Sequence, residues 1–127
     1  IGDIDMTKKL FLLLTLASVT SIIEAKPYTI TEEDKACTNK AESYNELADC
    51  FNDIGNRADD HVEAQLKAKN MNSLYKKFSK EAKKVSKNCD KKYFGDGSPF
   101  AQAEANQCYM NKMIDLSVKY DRIINGR

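Results

Sequence analysis

The sequence lacks tryptophan and has few residues that interrupt helices, with two prolines and five glycines among 127 residues. Few prolines and glycines leave few points at which a helix must end. Lys, Glu, Ala and Leu are abundant, and all four favour helix. No run of alternating β-branched residues predicts a strand. The composition therefore predicts an all-α protein with long helices.

Motifs for catalysis and metal binding are also missing. No two cysteines have C-x-x-C spacing, and the single histidine, His61, is far from every cysteine in the sequence, which argues against a zinc site. No EF-hand or phosphate-binding loop is present. Asp59-Asp60-His61 contains a His–Asp pair, but no activated Ser or Cys accompanies it, so we interpret His61 as a surface residue. We expect no enzyme activity, no metal and no cofactor.

The one long apolar run lies near the N-terminus. Met6 precedes a basic pair, Lys8-Lys9, residues 10–23 are apolar apart from Thr and Ser, and Ala25 offers a small residue at the expected cleavage point. The run is shorter than the ~20 residues of a membrane helix, and we expect no membrane span. We interpret residues 1–5 as upstream or cloning residues, 6–25 as a signal peptide, and 26–127 as a single secreted, extracellular helical domain.

The predicted mature chain contains four cysteines, Cys37, Cys50, Cys89 and Cys108. An even number in a short secreted chain is typical of two disulfides. On one continuous helix Cys37 and Cys50 would lie ~20 Å apart, too far for a disulfide. Either the helix breaks near Ser43 or each cysteine reaches another helix. From their heights in an up-down bundle, we predict the pairs Cys37–Cys89 and Cys50–Cys108.

Helix-start signals and apolar stripes predict a small disulfide-stapled bundle of three long or four to five shorter helices. The first helical segment begins at Thr31 and ends at Ile54, either continuous or broken near Ser43, with Gly55 just past its end. The second runs from about residue 58 to 93, with a kink or break near residues 70–73, and its apolar stripe includes Cys89. The third begins at Ser98-Pro99 and ends near residue 124.

Charge is segregated along the chain. Residues 26–66 contain ten acids and four bases, residues 67–92 contain ten lysines and two acids, and the remainder balances. Six lysines lie opposite the apolar stripe of the second helical segment and form what we call the basic ridge: Lys76, Lys80, Lys83, Lys84, Lys87 and Lys91. The ridge is either a solvated face that pairs with the acidic first helix or a surface for an anionic partner. Such a partner would be an acidic patch on a protein, a heparan-like polysaccharide or a phospholipid. Nucleic acid is not expected, because the chain is exported and no nucleic-acid-binding motif is present.

On its cysteine pattern the mature chain resembles small salivary proteins of blood-feeding flies. The matching features, within residues 31–124, are Cys37, Ala48-Asp49-Cys50-Phe51, the isolated Cys89 and Gln107-Cys108-Tyr109. The chain is similar to mosquito inhibitors of the anophensin and albicin type and to the helical C-terminal domain of aegyptin-like salivary antigens. The resemblance implies a non-enzymatic inhibitor of host defence that binds a plasma or matrix protein. The implied targets are alternative-pathway complement, contact-pathway coagulation or the platelet–collagen interaction.

Two other functions stay open from the sequence. The intervals Cys50–Cys89 and Cys89–Cys108 are similar to those of insect odorant-binding proteins, which implies a carrier of a small apolar ligand, although Cys37–Cys50 is too short for the first interval of that family. A secreted helical toxin or effector would share all of these sequence features. The oligomeric state is equally open.

Overall fold

The computed structural model describes residues 25–126. About 80% of these residues are helical and none forms a strand. The helices are α1 (Glu32–Lys40), α2 (Tyr44–Ala68), α3 (Asn72–Tyr93) and α4 (Pro99–Ile124). The predicted fold class, a small all-α bundle with two disulfides, is confirmed. The predicted upstream residues 1–5, and all of the predicted signal peptide except Ala25, lie outside the described residues.

Local sequence signals set where the helices begin. Thr31 caps α1 in a capping box, Ser43 caps α2, and Ser98 caps α4 with Pro99 in its first turn. Each side-chain oxygen accepts a hydrogen bond from a backbone N–H that the helix leaves unpaired. Helix α3 has no side-chain cap. It starts after Asn70, whose φ of 56° lies in the left-handed region, which Asn tolerates better than most residues.

Helices α2 and α4 run parallel and make the most extensive contact of the bundle. Near their N-terminal ends, the Asn106 side chain donates to the Ala48 carbonyl at 2.9 Å. Further along both helices, the Tyr109 hydroxyl donates to Asn56 Oδ1 at 2.8 Å. Residue numbers therefore increase in the same direction along both helices, as they do when two helices are parallel.

Helix α3 returns antiparallel to both neighbours and closes the core. The rings of Phe78 and Tyr120 meet edge to face with centroids 5.1 Å apart, and both residues are buried. The main core cluster joins side chains of α2, α3 and α4: Ala58, Val62, Leu66, Phe78, Ala82, Met113, Tyr120 and Ile124. Burial of these apolar side chains is the main driving force for the three-helix arrangement.

The predicted disulfide pairing is wrong. The bonds are Cys37–Cys50, with Cα atoms 5.8 Å apart, and Cys89–Cys108, with Cα atoms 5.7 Å apart. The helix does break before Tyr44, so α1 folds back against the start of α2 and brings Cys37 beside Cys50. The turn of residues 94–98 reverses the chain between α3 and α4 in the same way. Each disulfide therefore joins two helices that are consecutive in the chain.

The predicted helix end at Gly55 is also wrong, since α2 continues through Gly55 to Ala68. The ring of Tyr109 packs directly on Gly55, and a Cβ atom built there would lie 2.4 Å from Tyr109 Cε2. Glycine at this position therefore allows a close approach of α4. The predicted second helical segment is consequently divided between the end of α2 and all of α3.

Residues 25–31 form an extended segment, which we call the strap, that lies against α2 and α4. The Asn125 side chain donates to the Ala25 carbonyl at 2.8 Å and accepts from the Ala25 N–H at 3.2 Å. The Tyr28 N–H donates to Ser117 Oγ at 3.0 Å. These bonds satisfy backbone groups that an extended segment leaves unpaired.

Candidate functional site

The basic ridge is the candidate site, and α3 presents it on the side opposite the core. With about 100° between successive residues of an α-helix, the six ridge lysines fall within a sector of roughly 100°. The buried residues Phe78, Ala82 and Cys89 of α3 occupy the opposite sector. All six ridge lysines are exposed. The periodicity in the sequence therefore located this surface correctly.

No ridge lysine forms an ion pair with any of residues 25–126. Within the described residues the ridge is thus an exposed face that does not pair with the acidic first helical segment, and a solvated face and a surface for an anionic partner both stay open as interpretations. Glu81, one of two acids on α3, is instead bound by Lys119 of α4 at 3.0 Å. Asp90 is the other, and it lies at the margin of the ridge. The six positive charges thus remain available to a partner.

A polar cleft lined by α2, α3 and α4 borders the ridge, and no motif in the sequence predicts it. It consists of two adjoining cavities of about 220 and 440 Å³ that share Ser86 and Tyr109 in their linings. Asp59 and Glu63 of α2 lie on one wall, and Lys83 of the ridge lies on the other. Among the sequence features, Gly55 is related to the cleft, because the absence of a Cβ atom at Gly55 leaves room for the Tyr109 ring that lines it.

Acidic groups dominate the electrostatics of this cleft. Burial raises the pKa of Asp59, and the neighbouring carboxylates of Glu63 and Asp60 raise it further. Burial together with Asp59 and Asp60 raises the pKa of the Tyr109 phenol to about 12. The Glu63 carboxylate accepts from Lys67 at 2.8 Å and from the Tyr75 hydroxyl at 3.0 Å, and these bonds lower its pKa. Lys83 shares the cavity without pairing with either acid.

His61, which the sequence placed at the surface, lies half-buried under the strap. Its Nε2 atom is 2.6 Å from the carbonyl oxygen of Lys26, and Gln65 Nε2 donates to the same oxygen at 2.9 Å. The Tyr28 ring meets the His61 ring edge to face with centroids 6.0 Å apart. The contacts of His61 therefore hold the strap on α2, and no nucleophile lies among them.

A buried carboxylate, Asp34, ties the strap and α1 to α2. It accepts hydrogen bonds from the Tyr28 hydroxyl, the Thr31 N–H at 3.0 Å and the Arg57 guanidinium, whose Nε lies 2.9 Å away. Burial alone raises the pKa of Asp34, but these hydrogen bonds and the Arg57 charge outweigh burial and lower it. Tyr28 and Thr31 lie on the strap and Arg57 lies on α2. We therefore interpret Asp34 as a structural residue that links these segments to α1.

If the protein carried an apolar ligand between its helices, Met and Tyr side chains of the helices would line the pocket, but those of the described residues serve mainly as packing. Met113 and Tyr120 belong to the main core cluster, and Met110 packs with Phe51 and Ile54 in a second one. Tyr44 is instead exposed, with its ring against Phe100.

The fold and surface define the chain as a two-disulfide, all-α bundle with one lysine-rich face. Comparison with protein-family models, with curated proteins and with solved structures finds no match. None of the helices within residues 25–126 combines the length and the apolar character that a membrane crossing requires. The same residues contain no group of three His, Cys, Asp or Glu side chains arranged to hold a metal ion.

Proposed function

We propose that the protein is a secreted, non-enzymatic binding protein that inhibits a host-defence process. In this proposal the target is a plasma or matrix protein with an acidic patch, and the basic ridge supplies the contact. The targets are those implied by the resemblance to mosquito salivary inhibitors: alternative-pathway complement, contact-pathway coagulation and platelet–collagen interaction. The two disulfides are consistent with an oxidising, extracellular compartment.

One observation carries the proposal: six exposed lysines on one face of α3 have no carboxylate partner within residues 25–126. Unpaired charges of one sign add their potentials, attract a partner of opposite charge and accelerate association. The ridge lies on a rigid helix that a disulfide fixes to α4. Little conformational entropy is therefore lost in positioning the backbone of this surface on binding.

The test is charge reversal of the ridge with a matched control. The ridge variant replaces four of its lysines with Glu: Lys76, Lys80, Lys83 and Lys87. The control replaces four exposed lysines outside the ridge: Lys26, Lys40, Lys69 and Lys112. Both variants change the net charge equally, and circular dichroism checks that both remain folded.

Complement lysis, contact-pathway clotting and collagen-induced platelet aggregation are then measured with wild type and both variants. The proposal expects the wild type to inhibit at least one process, the ridge variant to lose inhibition, and the control to retain it. Full inhibition by a folded ridge variant would remove the ridge from the proposal. Absence of inhibition by the wild type in all three assays would contradict the proposed function itself.

A further inference from the structure

The ridge lacks the side chains that usually anchor a packed protein interface. Its six charged residues are all lysine, and the aromatic residues of α3, Tyr75, Phe78 and Tyr93, fall outside its sector of the helix. Protein–protein interfaces are enriched in Arg and aromatic residues and depleted in Lys. A lysine ammonium is a compact, hydrated point charge without the planar geometry of a guanidinium. The ridge therefore favours a partner that is held by charge alone.

The ridge lysines are also arranged in a line along the axis of α3. From Lys76 to Lys91 the helix rises about 22 Å, in steps of mostly about 4–6 Å between successive ridge lysines. A single straight helix fixes these spacings. A flexible chain with anionic groups at regular intervals would contact every lysine along this line, whereas a compact acidic patch would contact only part of it. The geometry thus favours a linear polyanion.

No acid of residues 25–126 forms an ion pair with a ridge lysine, although Asp59 and Glu63 line the same cavity as Lys83. Lys119 Nζ approaches both carboxylate oxygens of Glu81, at 3.1 and 3.0 Å, which directs that acid away from the ridge. Asp90 is the acid of α3 at the ridge margin, and no hydrogen bond or ion pair links it to a lysine of residues 25–126. An added polyanion would therefore gain most of the ridge charge.

We propose that the basic ridge binds a sulfated polysaccharide of the heparan type, extended along the axis of α3. The inference rests on the proposed function in taking the ridge as a binding surface; the polysaccharide would occupy the full length of the ridge, and the acidic patch of a protein target only part of it. For an extracellular protein, a sulfated polysaccharide is the linear polyanion that the surrounding matrix supplies. Binding would concentrate the protein on cell surfaces and matrix without requiring a packed interface.

Binding of this kind depends steeply on salt. Each lysine that neutralises a charge of a polyelectrolyte releases a condensed counterion, so log K falls linearly with log salt and the slope reports the number of contacts. By analogy with nucleic acids, six contacts correspond to roughly a thousandfold loss of affinity between about 50 and 200 mM salt. A slope near one would indicate that only one or two lysines take part.

The experiment measures binding of a size-defined heparin oligosaccharide to the folded mature protein by calorimetry at several salt concentrations. The ridge and control variants described above are compared with wild type. The inference expects the ridge variant to lose about a hundredfold or more in affinity at low salt, while the control loses several-fold. A chemically desulfated oligosaccharide should bind far more weakly than the sulfated one.

Equal losses in the two variants would overturn the inference, because net charge rather than the ridge would then explain binding. Absence of heparin binding by the wild type would overturn it as well. If the wild type binds no heparin but its host-defence inhibition depends on the ridge, the proposed function stands and this inference alone fails. If heparin binding depends on the ridge but inhibition does not, the inference stands and the ridge-mediated protein contact of the proposed function fails.

Discussion

Replacement of Arg57 by Met should destabilise the fold although the guanidinium is partly exposed. The Arg57 side chain is 42% exposed, whereas the Asp34 carboxylate that it contacts is fully buried. The Arg57→Met substitution leaves that carboxylate with the Tyr28 hydroxyl and the Thr31 N–H as its remaining hydrogen-bond donors. Loss of one partner of a fully buried ion pair costs about 3–5 kcal/mol. The remaining donors and the exposure of Arg57 reduce the expected cost to about 2 kcal/mol.

The free energy of unfolding is obtained from urea denaturation followed by far-UV circular dichroism, with disulfides intact. The matched control is Arg122→Met, which removes an exposed arginine from the last turn of α4 and should cost about 0.5 kcal/mol. If the two variants differ by less than the measurement error, the Asp34–Arg57 contact contributes nothing and the reasoning is refuted.

The dependence on pH supplies an independent check. The native-state pKa of Asp34 lies below the unfolded value, which is about 3.9 for Asp. Its contribution to stability is therefore complete well above that unfolded pKa and is lost as the pH falls through the lower native-state pKa. The Arg57→Met variant raises the native-state pKa, so the stability difference from wild type should shrink in acid. A difference that stays constant from neutral pH to about pH 2 would contradict this assignment.

Two further predictions concern packing and cross-links. Ala in place of Gly normally stabilises a helix interior by about 0.5–1 kcal/mol, but Gly55→Ala should destabilise, since the new Cβ overlaps the Tyr109 ring. The control is Ala64→Gly at an exposed position of the same helix, which measures the free-energy difference between Ala and Gly without a packing contact. If Gly55→Ala stabilised the protein instead, the Tyr109 ring would be free to move away from the new Cβ atom. The double substitution Cys37→Ser and Cys50→Ser should lower the free energy of unfolding by about 3 kcal/mol, the loop-closure value for a cross-link of this span. Peptide mapping that joins Cys37 or Cys50 to Cys89 or Cys108 would contradict the assigned pairing.

Features that depend on neighbouring residues could be read from the sequence, and features that depend on distant contacts could not. The caps at Thr31, Ser43 and Ser98 are local motifs, and the ridge follows from helical periodicity on α3. The disulfide pairing depends on where the chain reverses, and the sequence left a break at Ser43 as one of two alternatives. The role of Gly55 depends on a ring contributed by a separate helix. A helix-end signal and a close-contact glycine therefore look identical in one sequence.

Other parts of the molecule have no periodic signal at all. The strap contains no apolar repeat, and its hydrogen bonds come from side chains far away in the sequence, such as Ser117 and Asn125. The polar cleft depends on how α2 and α3 separate around Tyr109, which is a property of tertiary packing. Sequence periodicity predicts the elements and their buried faces, but it does not predict the space between them.

The double hydrogen bond between Asn125 and Ala25 has a consequence for the order of events during synthesis. Ala25 is 6% exposed, and the carbonyl of Lys26 is bound by His61 and Gln65. A peptidase requires an accessible, extended backbone. If the bond after Ala25 is the cleavage point that the sequence predicts, it must be cut before the strap docks, and Ala25 then leaves with the signal peptide. Since Asn125 is translated a hundred residues later, processing during translocation would precede docking of the strap, and the mature strap would begin at Lys26 without the two bonds between Ala25 and Asn125.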